Sequence, residues 1–357
     1  MLDWKNRTAA APEGAAGSAD NTPRKSSGNW VVRTVGGLLG LYLLAALVVG
    51  WYWSQEPGQF SVQQRAEAAA QASGRKMVNG YTTAETLKQV ASTLLDKPGG
   101  YLSNDIAPPG LWLDNMPSWE FGVLVQVRDM SRALRKDFTR SQSQSTEDPD
   151  LAKAEPRFHF DNKSWALPAS EAEYAEGIKS LDRYLERLGD PSKPNAQFYT
   201  RADNLNNWLG DAATRLGSLS QRLSASVGQV RLNTAVVDPA LAESVAQADF
   251  VAGVNYETPW LQIDNVFYEA RGQAWALAHL LRAIEVDFAD VLAKKNATVS
   301  VRQIIRELEA AQEPLWSPMV LNGSGYGLLA NHSLVMANYI SRANAGLIDL
   351  RQLLSQG

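Results

Sequence analysis

The sequence predicts an all-α protein: one N-terminal transmembrane helix, followed by a helical domain built from two duplicated helical units. Three observations carry this. Residues 34–55 form an uncharged apolar run, helix-period stripes of apolar residues recur after it while strand-like alternation is scarce, and one set of residues occurs twice at equal spacing.

The apolar run is TVGGLLGLYLLAALVVGWYWSQ. Its apolar part is about 20 residues long, matching a hydrocarbon core of about 30 Å at about 1.5 Å per helical residue. Trp30 precedes it and Trp51, Tyr52 and Trp53 end it, the aromatic placement expected where a span meets headgroups. A cleaved signal peptide fits less well, because the preceding tail is long and the apolar run exceeds a typical signal core. Lys5, Arg7, Arg24, Lys25 and Arg33 lie before the run, and the first basic residue after it is Arg65. The positive-inside rule therefore puts residues 1–33 in the cytoplasm as a disordered Ala/Gly/Ser/Pro-rich tail, with the span at 34–54 and the remainder exported. Gly36 and Gly40 form a GxxxG pair, a candidate face for a homo-oligomer.

Beyond the span, residues 55–80 read as a juxtamembrane connector, 81–190 as a first helical unit, 191–235 as a connecting amphipathic helix and 236–357 as a second unit. Thr82 and Glu85 read as a capping box ahead of Leu87, Val90, Leu94 and Leu95, with Pro98-Gly99-Gly100 as the stop. Residues 119–138 predict a second helix, 141–156 a polar loop, and Ser170 with Glu173 the cap of a helix to Leu188. Leu205, Trp208, Leu209, Ala212, Leu216, Leu219, Leu223 and Val227 form an amphipathic stripe. Asp238-Pro239 starts another helix, and long helices follow over about 266–294, 301–312 (capped by Ser300 and Gln303) and 328–355. A short irregular pairing is expected near 156–168.

The repeat is the most informative feature. Asp114-Asn115 is followed at equal offsets by Arg132 and Asp137-Phe138, as Asp264-Asn265 is by Arg282 and Asp287-Phe288. Pro109 and Trp112 stand before the first Asp-Asn, Pro259 and Trp260 before the second; Trp119-Glu120 and Tyr268-Glu269 follow. Chance similarity of amphipathic helices explains matched apolar positions but not these polar pairs. Two periods are too few for a solenoid, so residues 83–188 and 239–355 are expected to pack about a pseudo-twofold axis.

Chemistry is harder to read. With 45% hydrophobic and 20% charged residues and a net charge of −4, the chain has a globular balance and no basic field suited to nucleic acid. Cysteine is absent, which excludes disulfides and thiolate chemistry. His159, His279 and His332 are far apart with no clustered ligand spacing, so neither metal nor cofactor is predicted. His279, in WALAHLLRA, reads as a hydrogen-bonded core histidine. The glycine-rich run at 322–327 lacks the P-loop lysine and reads as a loop needing positive φ. Glu120 beside Trp119, with Asp114 upstream, has the residue types of an acid and partner in a glycan-cleaving site. Its repetition as Glu269 beside Tyr268 favours scaffolding instead, with Asp114 as a helix cap. Trp112, Trp119 and Trp260 are candidates for a binding groove, although tryptophan more often fills a core.

The segments PPGLWLDNMPSWEFGVL, FHFDNKSWALP, PWLQIDNVFYEARGQAWALAHLLRAIEVDF and GYGLLANHSLVMANYISRANAGLIDLRQLL resemble a family of uncharacterised inner-membrane proteins of Gram-negative bacteria. The resemblance implies a bacterial inner-membrane location and supplies no catalytic residues. The expected function is a membrane-anchored periplasmic adaptor that binds an envelope protein or peptidoglycan, with the bilayer as its other partner. The rival is a glycan-acting enzyme or binder using Glu120 and Asp114.

Overall fold

The structure is a computed structural model that describes residues 28–140, 146–190, 192, 195–231, 254–317, 319–324 and 327–356. The chain divides into two compact units, Met1–Ala45 and Ala46–Gly357.

Helix α1 runs from Gly28 to Trp53. Its stretch Trp30–Trp53 has a mean hydropathy of 2.0 and is long and apolar enough to cross a membrane. Leu38, Leu41 and Leu44 are all exposed along it.

The second unit is helical, with one short antiparallel ribbon. Its helices are α2 (Val62–Ser73), α3 (Tyr81–Asp96), α4 (Asn115–Ala133), α5 (Leu151–Phe158), α6 (Ser170–Leu188), α7 (Ala202–Ser224), α8 (Ile263–Asp287), α9 (Ala289–Lys294), α10 (Thr298–Ala310) and α11 (His332–Ser355). Strands β1 (Gln229–Arg231) and β2 (Val254–Tyr256) pair antiparallel, with Val230 opposite Asn255.

The core is organised by α4 and α8, which touch backbone to backbone. A Cβ on Gly122 would lie 2.2 Å from the Glu269 carbonyl oxygen, and one on Gly272 would lie 2.0 Å from that of Trp119. No side chain larger than hydrogen fits, so glycine is what permits the approach. Downstream, a π-helical turn over Leu134–Phe138 ends α4, and the Phe138 ring meets that of Phe288 at 5.4 Å. Contact at both levels means that the two helices run parallel. Trp119 and Trp275, both buried, meet there with their rings 5.3 Å apart and tilted by 57°.

The outer helices cover this pair on both sides. Helix α3 packs on α6, α4 and α8, and α7 packs on α11, α4 and α8; α5 lies on α6, and α10 lies on α11. Chain leaving α1 is laid along α8 by three side chains. Arg271 Nε bonds Glu56 at 2.7 Å, Trp275 Nε1 donates to the Gly58 carbonyl, and His279 Nε2 accepts from the Phe60 N–H at 3.1 Å. With Nδ1 on the Trp275 carbonyl at 2.7 Å, His279 is a core histidine; burial lowers its pKa to about 4.

Local readings needed several corrections. The polar stretch 141–156 is not one loop, because α5 begins at Leu151. Arg135 holds its Glu155 at 2.7 Å, and Arg187 bonds the preceding Asp148 and Asp150 at 2.7 and 2.6 Å. The connector 55–80 contains α2, and the strand pairing lies at 229–231 with 254–256 rather than near 156–168. The Thr82–Glu85 box does not form. Helix α3 starts after Gly80, and its Thr83 N–H donates to Asp287 at 2.7 Å, a cap supplied from the end of α8. Ser170 instead donates to the Asp161 carbonyl, and Glu173 pairs with Arg157. Helix α10 starts two residues before Ser300, and α11 starts at His332, where Asn331 accepts from the Leu334 N–H at 2.8 Å. Gly323 is required by close approach rather than by positive φ: a Cβ there would fall 2.4 Å from the Leu329 carbonyl oxygen. The helix expected at 239–250 lies outside the described residues.

Candidate functional site

Because α4 and α8 are parallel, their N-termini open on the same side of the core. First-turn N–H groups have no intrahelical acceptor and carry the positive end of the helix dipole. A cleft of about 740 Å³ lies at this paired mouth. Helix α4 and the residue before it contribute Asp114, Pro117, Ser118 and Phe121, and α8 contributes Asn265, Val266 and Glu269. The other walls come from the loop at 102–105, from Asn162 and Lys163, and from Arg222 of α7. Two 3-10 turns flank it, Gly110–Trp112 before α4 and Trp260–Gln262 before α8.

The charges in the cleft are mixed. Asp114 precedes α4 but makes no side-chain capping bond, so the capping role expected of it is corrected: its backbone is helical rather than extended, and the residue is exposed. Asp264, beside the cleft rather than among the residues that line it, accepts from the Asn265 N–H at 3.1 Å; burial raises its carboxyl pKa, and the negative charge of Asp114 raises it further. Asp105 is likewise raised, by burial and then by Glu171, with Lys97 opposing. Arg222 is neutralised by Glu269, which also accepts from Gln273 at 3.1 Å. The buried Oδ1 atoms of Asn115 and Asn265, at matched positions on the two helices, have no hydrogen-bond donor among the described residues.

Glu120 is not in the cleft. It is fully buried behind the cleft wall, 2.6 Å from Lys97 Nζ, and it accepts from the Leu102 and Ser103 N–H groups at 2.8 Å each. Burial pushes its carboxyl pKa up while the Lys97 ammonium pulls against this. The arrangement shapes the loop at 97–103 and leaves no lone pair directed at a substrate. Trp119 is also corrected from a groove residue to a core residue. Trp112 and Trp260 remain exposed on the flanking turns.

The other repeated residues lie further along the pair. Arg132 reaches Glu155 of α5 at 3.6 Å, and Arg282 pairs with Glu309 of α10. Asp287 binds the start of α3. Asp137 lies at the start of α7, where its carbonyl accepts from Asn204 at 2.8 Å and its carboxylate from Asn207 at 3.2 Å. Sequence reasoning missed Asp105, Lys163 and Arg222, which stand in unrelated local contexts and meet only through the fold. Among the described residues no group of three or more His, Asp or Glu side chains is arranged to hold a metal ion.

A family model described as an uncharacterized protein conserved in bacteria (DUF2333) matches residues 24–357. No curated protein and no solved structure matches the chain.

Proposed function

Since the chain belongs to this uncharacterised family conserved in bacteria, we propose that it is a single-pass inner-membrane protein with a cytoplasmic N-terminus and a periplasmic helical domain. That domain acts as an adaptor, binding another envelope component rather than turning one over. The observation that carries the binding reading is the position of Glu120, the best acid candidate in the sequence, locked behind the cleft wall by Lys97 and two backbone N–H groups. A general acid needs access to the atom it protonates, and this carboxylate has none.

The cleft at the mouth of α4 and α8 is the binding site in this reading. A photo-reactive residue at Ser118 of the full-length chain should cross-link one envelope component in cells, and the same residue at exposed Val299 should not. Equal, diffuse labelling at both positions would remove the cleft from the proposal. Topology is tested by a reporter that is active only after export, fused after about residue 60; cytoplasmic activity of that fusion refutes the orientation.

One observation favours a second reading, a glycan-acting enzyme or binder. Asp114 lines the cleft, and Asp264, next to the cleft-lining Asn265, has its carboxyl raised by burial and by the charge of Asp114. In this version Asp264 replaces Glu120 as the acid. Release of muropeptides from purified sacculi by the full chain, lost in Asp264→Asn at unchanged melting temperature, would establish turnover and displace the adaptor.

The duplication belongs to the proposal as well. Matched residues facing one another across the helix pair support it: Gly122 with Gly272, and Phe138 with Phe288. The neighbours of α3 and α7 correspond in the same way.

A further inference from the structure

The second unit has seven described tryptophans outside α1, and they fall into two groups. Trp119, Trp208 and Trp275 are buried, whereas Trp112, Trp165, Trp260 and Trp316 are 51, 62, 77 and 96% exposed. Each exposed one is on a loop or 3-10 turn, and all four loops lie at one end of the unit. The turns of Trp112 and Trp260 flank the cleft, and the loop of Trp165 lines it through Asn162 and Lys163. Leu315 and Ser317, on either side of Trp316, share a second cavity with Trp51 and Ser54 at the end of α1.

That end is also where α1 joins the unit. The position of a Cβ on Gly50 is 3.4 Å from Pro109, and one on Gly99 would collide with the Trp53 ring at 2.7 Å. The last turns of the apolar helix are therefore packed against the loops that carry Trp112 and its neighbour Leu111. Charge is excluded from three of the four loops: residues 106–113, 258–263 and 314–341 contain no Asp, Glu, Lys or Arg, whereas the loop of Trp165 carries Asp161 and Lys163 before an uncharged stretch at 164–170. Leu111 and Leu261 are 58 and 74% exposed beside their tryptophans.

Uncharged, protruding Trp-Leu loops are costly in water and favourable at the headgroup layer, where an indole buries its ring and keeps its N–H hydrated. We propose that this ring of loops rests in the interfacial layer of the bilayer that α1 crosses, so that the cleft at the mouth of α4 and α8 faces the membrane surface. The proposal rests on the reading of α1 as a retained span. A bilayer is the favoured occupant, because loops of this set pack beside the last turns of an apolar helix and their exposed tryptophans match a span's own aromatic belt.

The chain has no cysteine, so single spin labels report without background. Full-length Leu111→Cys, Leu261→Cys and Trp316→Cys are reconstituted in vesicles of phosphatidylethanolamine and phosphatidylglycerol. Leu41→Cys in α1 and Val299→Cys near the opposite end of α8, about 37 Å away for 25 residues, are the references. Labels at 111, 261 and 316 should collide more with membrane-soluble oxygen than with a water-soluble nickel complex, as at 41, and the label at 299 should do the reverse. If the label at 41 is in lipid while the three loop labels behave like 299, the docking proposal fails and the anchor stands. If the label at 41 is also aqueous, the anchor fails and docking falls with it. Loop labels that are aqueous in pure lipid but shielded from both reagents in native membrane vesicles assign the face to a protein partner and overturn the proposal.

Discussion

Replacing Glu120 by glutamine separates a structural carboxylate from a catalytic one. Glu120 and Lys97 are 0 and 1% exposed at their side chains and 2.6 Å apart. Neutralising one partner strands the other charge in a place that water does not reach, which typically costs about 3–5 kcal/mol. The Leu102 and Ser103 N–H groups bond different oxygens of Glu120, so the one carbonyl oxygen of glutamine serves only one of them and its amide faces the other donor; no compensation is expected there. At about 2–4 °C per kcal/mol for a domain of this size, the melting temperature should fall by roughly 6–20 °C. The assay is thermal unfolding of the full-length chain in detergent, followed by tryptophan fluorescence. Lys97→Met alone should cost a similar amount, and the double variant much less than the sum, with a coupling of about 2–3 kcal/mol. A loss below about 1 kcal/mol for Glu120→Gln, or additive single variants, would mean that the pair is not charged as argued.

Three further expectations follow from the same packing. Gly122→Ala and Gly272→Ala each push a methyl group into a carbonyl oxygen of the facing helix; both should destabilise by about 1–3 kcal/mol, more than offsetting the roughly 1 kcal/mol gain in helix propensity, and strongly unequal costs would argue against matched halves. Trp119→Ala should cost about 3–5 kcal/mol, whereas Trp112→Ala and Trp260→Ala should change stability in detergent by less than about 0.5 kcal/mol, because only the first is in the core. His279 has its pKa lowered from 6.5 to about 4, so between those values the unfolded chain binds a proton that the folded chain does not. Stability should therefore fall as pH drops from 6.5 towards 4, by up to about 3 kcal/mol, and denaturant midpoints of His279→Gln should lose that slope.

Helices were legible where one apolar face dominates. The stripe from Leu205 to Leu223 is buried at every step, and α8 reads through from Phe267 to Ile284. Helix α5 was not legible, since its stretch is polar and short and is held by arginines at 135 and 187 rather than by a wide apolar face. Helix starts were placed within a few residues, but their caps were misread because the partner is distant: the Thr83 N–H is bound by Asp287, 204 residues away. The same distance hid the state of Glu120, whose environment depends on Lys97 and a loop with no local signature. Of the three groove tryptophans, the pattern could not tell Trp119 from Trp112, because burial at position 119 depends on which side of α4 faces α8. The cleft itself is assembled from segments spread between residues 102 and 269, and among the repeated residues the fold brings Asp114 and Asn265 to its wall.

The glycine crossing also has a consequence for the order in which the chain folds. Gly122 and Gly272 are 150 residues apart, and bringing such distant segments together carries a closure entropy of about 4 kcal/mol before any contact forms. A chain emerging amino-terminus first presents α4 about 8–30 s before its partner, at roughly 5–20 residues per second. During that interval the flank of α4 that will meet α8, with Trp119 on it, has no permanent cover. Helices α3, α5 and α6 can assemble around it only as an intermediate whose centre is missing. A chain stopped before Ile263 is therefore expected to lose the whole second unit rather than one lobe of it, since the carboxyl-terminal third supplies half of the core pair on which most of the other helices pack.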